Sequence, residues 1–332
     1  MSKKTSQELL ELVDLKLRLN HFQTVTLSSS SKACFDIIAK KGNRTIVLKI
    51  EPYIDNFNRE KSYELKSIAQ FLEASPIIVG TRGRRFKNID EGLVLLRYGM
   101  PVVSPETLES LIAEGIPPIV YCSRGGYFVN INRKLLRRAR MERNYSYTEL
   151  AHLVGVARST VYEYEHSINP PPEIAARLEN VLETSIAEGI QIFEIEIQSE
   201  EKPESYISDN LSPFKEEIAS LLENLGLISQ FWTHQSPFDA FGEHQSDQVK
   251  SGLNVLVCVD DSHHSDVIKR INTTVNIASL AKRRTIMIVD EEQNNQISQK
   301  MPTFTLDELQ QMQRAFELVK KWAKKQKELK LF

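Results

Sequence analysis

A short stretch near the middle of the chain is rich in cations. Apart from Arg140, its basic side chains are Arg133, Lys134, Arg137, Arg138 and Arg143. Lysine and arginine bind phosphate oxygens and release counterions, so such contacts weaken as salt rises. The whole chain has 42 basic and 44 acidic residues, a net charge of −2, so attraction to a polyanion must be local. The stretch predicts a phosphate-binding face, and for any one cation a solvated helix surface is the alternative.

Three short helices are the elements that must position these cations. Apolar residues recur at helical spacing along residues 133–143, which predicts the first helix. Ser146 and Glu149 have the spacing of a capping box, in which each side chain accepts a backbone hydrogen bond, and they predict the start of the second helix. Gly155 can adopt the positive φ of a sharp turn. Residues 157–165 then follow as the third helix.

The run from Ser146 to Glu165 resembles the helix-turn-helix of the lambda-repressor/Cro family. The resemblance rests on an arginine in helix one, an alanine in helix two, a turn glycine, a late tyrosine-glutamate pair, and the start and core of helix four: Arg140, Ala151, Gly155, Tyr164-Glu165, Pro171-Pro172-Glu173 and Leu178. Ser167 stands where the family commonly has glycine, which leaves the turn after helix three open.

This resemblance implies that helix 157–165 is a recognition helix, because a duplex major groove admits a helix whose side chains reach base edges. Arg158 and Ser159 match base-contacting positions, and Tyr162 and Glu163 lie one turn further on. Arginine can hold guanine through two hydrogen bonds, and glutamate can accept one from cytosine. Phosphate contacts are expected from the five cations above and from Ser146, Tyr147, Thr148 and Thr160. The family's matching ion pair implies a structural role for Arg140 and Glu165.

The first part of the chain resembles the restriction-endonuclease-like core in its order of helices and strands. That core carries the PD-(D/E)xK signature, in which two acids hold a divalent metal and a lysine assists the attacking water. Asp36 and Lys49 match the first acid and the lysine, but Val47 occupies the place of the second acid. A migrated acid could restore the set, although such glutamates are usually solvated; the candidates are Glu51, Glu60 and Glu64. We expect no catalytic residue and no metal site here.

The last part of the chain repeats the order of the first. Four stretches match in sequence order: 33–36 with 236–239, Thr45–Ile50 with Asn254–Val259, Ile68–Leu72 with Ile277–Leu280, and Met100–Leu108 with Met301–Leu309. In this copy Asp239 is kept, whereas Leu256 and Cys258 replace the second acid and the lysine, so the copy should be inert.

The predicted fold class is therefore multidomain, α/β plus all-α. Two restriction-endonuclease-like α/β domains, residues 1–120 and 190–332, flank a lambda-repressor-like helical bundle at residues 130–184. An acidic polar linker is expected at residues 199–212, before most of the second α/β domain. Residues 126–131 and 192–197 are predicted as strands whose pairing would tie together the two ends of the bundle.

The cysteine pattern and the hydropathy exclude several classes of protein. Cys34, Cys122 and Cys258 are odd in number, far apart and without Cys-x-x-Cys spacing, which argues against a disulfide framework or a zinc site. The sequence lacks the long apolar stretch of a signal peptide or a membrane span. We expect a cytoplasmic, nucleoid-associated protein that needs no cofactor and contacts no membrane; the sequence indicates no particular small-molecule effector.

The whole order of domains resembles a family of archaeal HTH-type transcriptional regulators. Residues Thr81-Arg82, Arg97-Tyr98-Gly99-Met100-Pro101 and Ser104-Pro105 add to the resemblance. It implies a sequence-specific regulator that binds double-stranded DNA and is not an enzyme. A homodimer is expected, because one recognition helix reads only a few base pairs and two half-sites supply the missing specificity. The alternatives are a metal-dependent nuclease that the helix-turn-helix directs to DNA, and a protein-interaction module.

Overall fold

The computed structural model describes residues 5–27, 34–123, 126–195, 211–231, 236–244, 253–260, 267–290 and 300–329. Most of the expected linker at residues 199–212 lies outside these ranges. The chain divides into two compact units. The first comprises Met1–Lys49, Phe57–Pro76 and Ser199–Phe332, and the second comprises Ile50–Asn56 and Ile77–Gln198.

The first unit begins with a helix, three strands and a second helix: α1 (Ser6–Leu19), β1 (Gln23–Thr26), β2 (Ile37–Lys41), β3 (Arg44–Ile50) and α2 (Arg59–Phe71). A capping box formed by Thr5 and Glu8 starts α1. The three strands pair antiparallel, with Val25 opposite Ile38 and Ile38 opposite Val47. Apolar side chains along one side of α1 and in β2 and β3 are buried, whereas Val25 of β1 is half-buried, so the core lies between α1 and the inner strands.

The remainder of the first unit is a second sheet with helices around it. Its elements are α8 (Pro213–Asn224), β9 (Ile228–Phe231), β10 (Ala240–His244), β11 (Leu253–Asp260), α9 (Val267–Ala281), β12 (Arg284–Val289), β13 (Thr303–Thr305), α10 (Leu306–Gln310) and α11 (Ala315–Leu329). The strand order is β13-β12-β11-β10-β9; β10 pairs antiparallel with β9 and with β11, whereas β11 pairs parallel with β12 and β12 pairs parallel with β13. Alternate residues of β11 and β12 pack with α8 and α11 in one core.

The second unit combines strands with the helical bundle. Its strands, in sheet order, are β4 (Ser75–Val79), β6 (Met100–Val103), β5 (Leu93–Arg97), β7 (Val120–Ser123) and β8 (Gly126–Val129). Helix α3 (Pro105–Glu109) begins at the N-cap Ser104 and continues into a π-helical turn. The bundle consists of α4 (Arg133–Glu142), α5 (Tyr147–Val154), α6 (Arg158–His166) and α7 (Pro172–Leu182).

The two ends of the bundle are held together, but not by the predicted strands. β8 pairs with β7, and an isolated bridge joins Ile131 to Ala187. The amide of Asn132 donates to the carbonyl of Ile186 over 2.9 Å. The prediction of a strand at residues 192–197 is wrong for the part that the structure describes, because residues 192–195 form turns and coil. The bridge and the hydrogen bond, which lie within five residues of the end of α7, already join the two ends of the bundle without a paired strand.

Candidate nucleic-acid interface

Helix α5 begins at the capping box that the sequence predicts. The hydroxyl of Ser146 accepts the amide of Glu149 over 3.2 Å, and a Glu149 carboxylate oxygen accepts the amide of Ser146 over 2.8 Å. These hydrogen bonds stabilise the charged carboxylate and lower the pKa of Glu149 below its ordinary value. Ser146 lies four residues after the end of α4, and its reciprocal hydrogen bonds with Glu149 fix the start of α5.

Gly155 makes the turn between α5 and α6. Its φ is 78°, in the left-handed region, and its amide donates to the carbonyl of Ala151 over 2.9 Å. A side chain would be strained at this φ, and an added Cβ would lie 3.4 Å from a guanidinium nitrogen of Arg177. This turn sets the direction in which α6 leaves α5.

The four predicted base-contacting residues, Arg158, Ser159, Tyr162 and Glu163, share one exposed face of α6. The opposite face is buried in the bundle core through Val161, Tyr164 and Glu165. Thr160 lies half-buried between the two faces. The N-cap Ala157 supplies no side-chain hydrogen bond, and the amide of Thr160 donates to the carbonyl of Ala157 over 3.0 Å, so the amides of Arg158 and Ser159 are the ones that can donate to a partner such as a phosphate oxygen.

His166 also belongs to this exposed face, although the sequence-based prediction did not include it. Its ring stacks on Tyr162 at 4.0 Å between ring centroids, and its Nδ1 lies 2.6 Å from the Tyr162 carbonyl oxygen. Tyr147 of α5 meets Tyr162 edge-on at 5.7 Å. The signal was present in the sequence, because residues four apart on a helix are neighbours. The prediction failed because it ended the helix at Glu165.

Arg140 and Glu165 form a buried, bidentate ion pair. Arg140 Nε and Nη2 donate to the two carboxylate oxygens of Glu165 over 2.5 and 3.1 Å, and Nη1 donates to the carbonyl of Tyr145 over 2.9 Å. The Glu165 side chain is 0% exposed and that of Arg140 is 10% exposed. The hydrogen bond with Glu165 raises the pKa of Arg140. The pair fixes α4 against α6.

Tyr147 completes this network. Its hydroxyl donates to Glu165 over 3.0 Å, and the guanidinium carbon of Arg140 lies 4.1 Å from the centre of its ring. Burial and the hydrogen bond to Glu165 raise the pKa of Tyr147. The family resemblance implies a phosphate contact for Tyr147, but in the structure its hydroxyl hydrogen is donated to Glu165 inside the bundle. Ser146 and Thr148, on either side of it, are exposed.

The five predicted phosphate-binding cations fall into three environments. Arg133 donates to the carbonyl of Ser167 over 3.2 Å, and Arg143 donates to the carbonyl of Leu182 over 2.6 Å, so both tie parts of the bundle together. Arg138 pairs with Glu142 on the surface of α4. The other two cations are exposed and make no ion pair with any residue that the structure describes; they are Lys134 and Arg137.

The structure brings Asp36 and Lys49 together in the first nuclease-like copy. Lys49 Nζ lies 3.2 Å from an Asp36 carboxylate oxygen, and both side chains are buried. Glu64 on α2 is 0% exposed, so the expectation that this glutamate is solvated is wrong. Burial raises the pKa of Cys34 well above its ordinary value, and Glu64 and Asp36 add to the rise. The charges of Asp36, Lys49 and Glu64 thus all act on the buried Cys34 thiol.

The other two candidate acids, Glu51 and Glu60, differ in their exposure. Glu51 is buried and belongs to the second unit, and Glu60 is half-buried on the first turn of α2. Val47, at the position of the missing acid, is fully buried. Within the described ranges, no three acid, histidine or cysteine side chains lie close enough together to hold a metal ion.

In the carboxyl-terminal α/β segment, the aspartate that the sequence matches to Asp36 is already engaged by neighbouring groups. Asp239 accepts from Lys215 Nζ over 2.9 Å, from Arg270 Nη2 over 2.5 Å and from the amide of Val259 over 2.8 Å. Cys258 replaces the lysine, and burial raises the pKa of its thiol to about 12. A neutral thiol and an aspartate held by two cations provide no metal-binding pair.

The fold and this site define a helix-turn-helix protein that carries a PD-(D/E)XK domain ahead of its bundle. Residues 6–118 match the model of the PD-(D/E)XK superfamily domain, and residues 136–189 match that of the helix-turn-helix. These matches confirm a multidomain α/β plus α chain in which the predicted first α/β domain precedes the helical bundle. In the part of the chain that the structure describes, no helix is long and apolar enough to cross a membrane.

Curated relatives show the family. A protein of Methanocaldococcus jannaschii is 32% identical over 290 residues, which are 87% of this chain and 88% of the relative. A protein of Methanococcus maripaludis is 30% identical over 327 residues, 96% and 98% of the two chains. One of Archaeoglobus fulgidus is 32% identical over 248 residues, 74% and 77%. Each is named "Putative HTH-type transcriptional regulatory protein". The chain belongs to this archaeal family; no solved structure matches it.

Proposed function

We propose that the protein is a transcriptional regulator that binds double-stranded DNA sequence-specifically, with the helix at residues 157–165 in the major groove. The observation that carries this proposal is the exposed face of α6. Its side chains are a guanidinium, a hydroxyl, a phenol and a carboxylate, the groups that recognise base edges: Arg158, Ser159, Tyr162 and Glu163. The buried opposite face holds α6 rigidly, so this face is preorganised for a groove.

Phosphate contacts would fix the register of the helix on the duplex. Lys134 and Arg137 supply charge that is not consumed by ion pairs among the described residues. Ser146, Thr148 and the first amides of α5 and α6 supply hydrogen bonds. Arg133 and Arg143 make hydrogen bonds within the bundle, so their contribution to binding is proposed to be smaller than that of Lys134 and Arg137.

The protein is proposed to act as a homodimer in the cytoplasm, associated with the nucleoid. A single recognition helix reads only a few base pairs, and two helices on half-sites about 34–36 Å apart read enough for specific binding. The operator should therefore be close to palindromic.

No enzymatic activity is part of this proposal. The nuclease-like domain keeps Asp36 and Lys49, but these two side chains neutralise each other in a buried pair. Val47 cannot bind a metal, and Asp239 is held by two cations. Support for a nuclease is thus limited to an incomplete acid-acid-lysine signature. The bundle, in contrast, exposes all four of the predicted base-contacting side chains on α6.

Selection from random duplex DNA with the intact chain tests the proposal. An enriched, near-palindromic motif is expected. Arg158→Ala should then lose about 1–3 kcal/mol of binding free energy and relax the preference at one position. Arg137→Ala serves as the matched control, because it removes an equal charge: it should weaken binding evenly across sequences and lower the salt slope by about 1. Selection without an enriched motif would favour a protein-interaction module instead.

A further inference from the structure

The two nuclease-like copies of the first unit share details beyond their order of elements. The backbone amides of Asp36 and Asp239, which match in sequence, each donate over 2.8 Å to the next strand, β3 in one copy and β11 in the other. Glu73 and Lys282, which follow the matching helices α2 and α9, both have left-handed φ, at 50° and 57°. The copies therefore have corresponding backbones, and residues can be compared position by position.

The copies contact each other through matching residues. Phe35 stacks on Phe238 with ring centroids 6.3 Å apart and an interplanar angle of 28°. These two residues occupy the same position in their copies, directly before the aspartate. In a pair with two-fold symmetry, a residue on the axis contacts its own equivalent. The contact of Phe35 with Phe238 is what an isologous interface produces.

Cations across the interface also act in both directions. Lys40 Nζ of the first copy donates to the carbonyl of Leu280 in the last turn of α9 over 2.8 Å. Arg283 of the second copy donates to the carbonyl of Phe71 in the last turn of α2, over 3.0 and 2.8 Å. Phe71 and Leu280 are sequence counterparts. Each helix carboxyl terminus thus receives a cation from the other copy, which its dipole favours.

Apolar contacts fill the same interface. The ring of Phe71 stacks on that of Phe241 at 4.3 Å, and α9 packs against β1 and β2 of the first copy. All four phenylalanines of the two aromatic pairs are buried. The carboxyl-terminal copy lacks the second acid and the lysine of the signature. Its side chains Phe238, Phe241 and Arg283 nevertheless all contact the first copy.

We infer that the carboxyl-terminal copy serves as a built-in partner for the first copy: it fills a self-complementary pairing surface within one chain and closes that surface to a second chain. This copy thus contributes the contacts with the first copy and no catalytic residues. A homodimer on DNA must then use another surface. The inference does not depend on DNA binding.

Cross-linking of a mixture of isotope-labelled and unlabelled intact chains tests where the pairing occurs. An amine-reactive cross-linker should join Lys40 or Lys41 to Lys282, because Lys40 already reaches the carbonyl of Leu280. Pairing within the chain yields cross-links whose two peptides are both labelled or both unlabelled. Mixed pairs would show that the surface joins separate chains, and absence of this cross-link would show that the copies do not pair. Either result overturns the inference.

Two neighbouring arginines provide a matched comparison in the intact chain. Arg283 crosses to the first copy, whereas the guanidinium of Arg284 lies over Trp322 of its own copy. Arg283→Ala should make the amides at the end of α2 exchange hydrogen about tenfold faster. Arg284→Ala should leave them unchanged. Equal effects of the two variants, or none from Arg283→Ala, would contradict a pairing surface at this place.

Discussion

Glu165→Gln is expected to destabilise the bundle far more than a substitution on the exposed face of α6. The carboxylate accepts three hydrogen bonds, two from Arg140 and one from Tyr147, and its side chain is 0% exposed. The neutral amide leaves the charge of Arg140 buried without compensation, which costs about 3–5 kcal/mol. Because Arg140 keeps its hydrogen bond to the Tyr145 carbonyl and its contact with the Tyr147 ring, we expect a value near 3 kcal/mol.

Native-state hydrogen exchange in the intact chain measures this loss locally. Amides of α4 and α6 should lose protection together, since the pair joins these helices. Arg140→Met combined with Glu165→Leu removes both charges and should recover most of the stability, because apolar replacements of a buried pair are often neutral. Arg138→Ala is the control, because its ion pair with Glu142 is exposed to water and contributes little to stability. A cost for Glu165→Gln as small as that of Arg138→Ala would refute the reasoning.

Three further predictions concern other parts of the chain. Gly155→Ala should destabilise the bundle by about 1 kcal/mol or more, seen in the same exchange experiment, because φ is positive there. The pKa of Glu149 is lower in the folded chain than its ordinary 4.5, so the capping box stabilises α5 above that pH and the contribution is lost as pH falls through the folded pKa; a fall in the protection factor of the Ser146 amide at low pH, after correction for the intrinsic exchange rate and absent in Glu149→Gln, checks this. Duplex DNA should remain uncut with Mg²⁺, and Asp36→Ala should cost about 3 kcal/mol of stability, because it removes the carboxylate that pairs with the buried ammonium of Lys49; cleavage that Asp36→Ala abolishes would make the domain a nuclease.

The features that sequence predicts well here are those in which short-range chemistry determines the conformation. Ser146 and Glu149 form a capping box because the two side chains and two amides lie within one turn. Gly155 takes a left-handed conformation that few other residues tolerate. The face of α6 follows from helical periodicity once its first residue is known. Each of these needs no knowledge of the rest of the chain.

Features that depend on distant residues could not be predicted in the same way. Glu64 lies on a polar helix, and only the fold of the first unit shows that it is buried and that its charge acts on Cys34. The hydroxyl of Tyr147 bonds to Glu165, which belongs to the next helix. A tyrosine at the start of a helix is equally compatible with a phosphate contact. The sequence alone could not decide between the two contacts, and the prediction followed the family resemblance.

The pairing of the two copies changes where a homodimer interface should be sought. An α/β domain next to a helix-turn-helix is a natural candidate for dimerisation, and the sequence offered no reason to exclude it. In the structure, the aromatic residues Phe35 and Phe71 of the first copy are already covered by Phe238 and Phe241 of the second. A surface that is filled within the chain gains nothing from a second chain, because its apolar area is no longer exposed to water. If two chains bring two recognition helices to one operator, substitutions at Arg283 should therefore lower stability without changing the dimer dissociation constant.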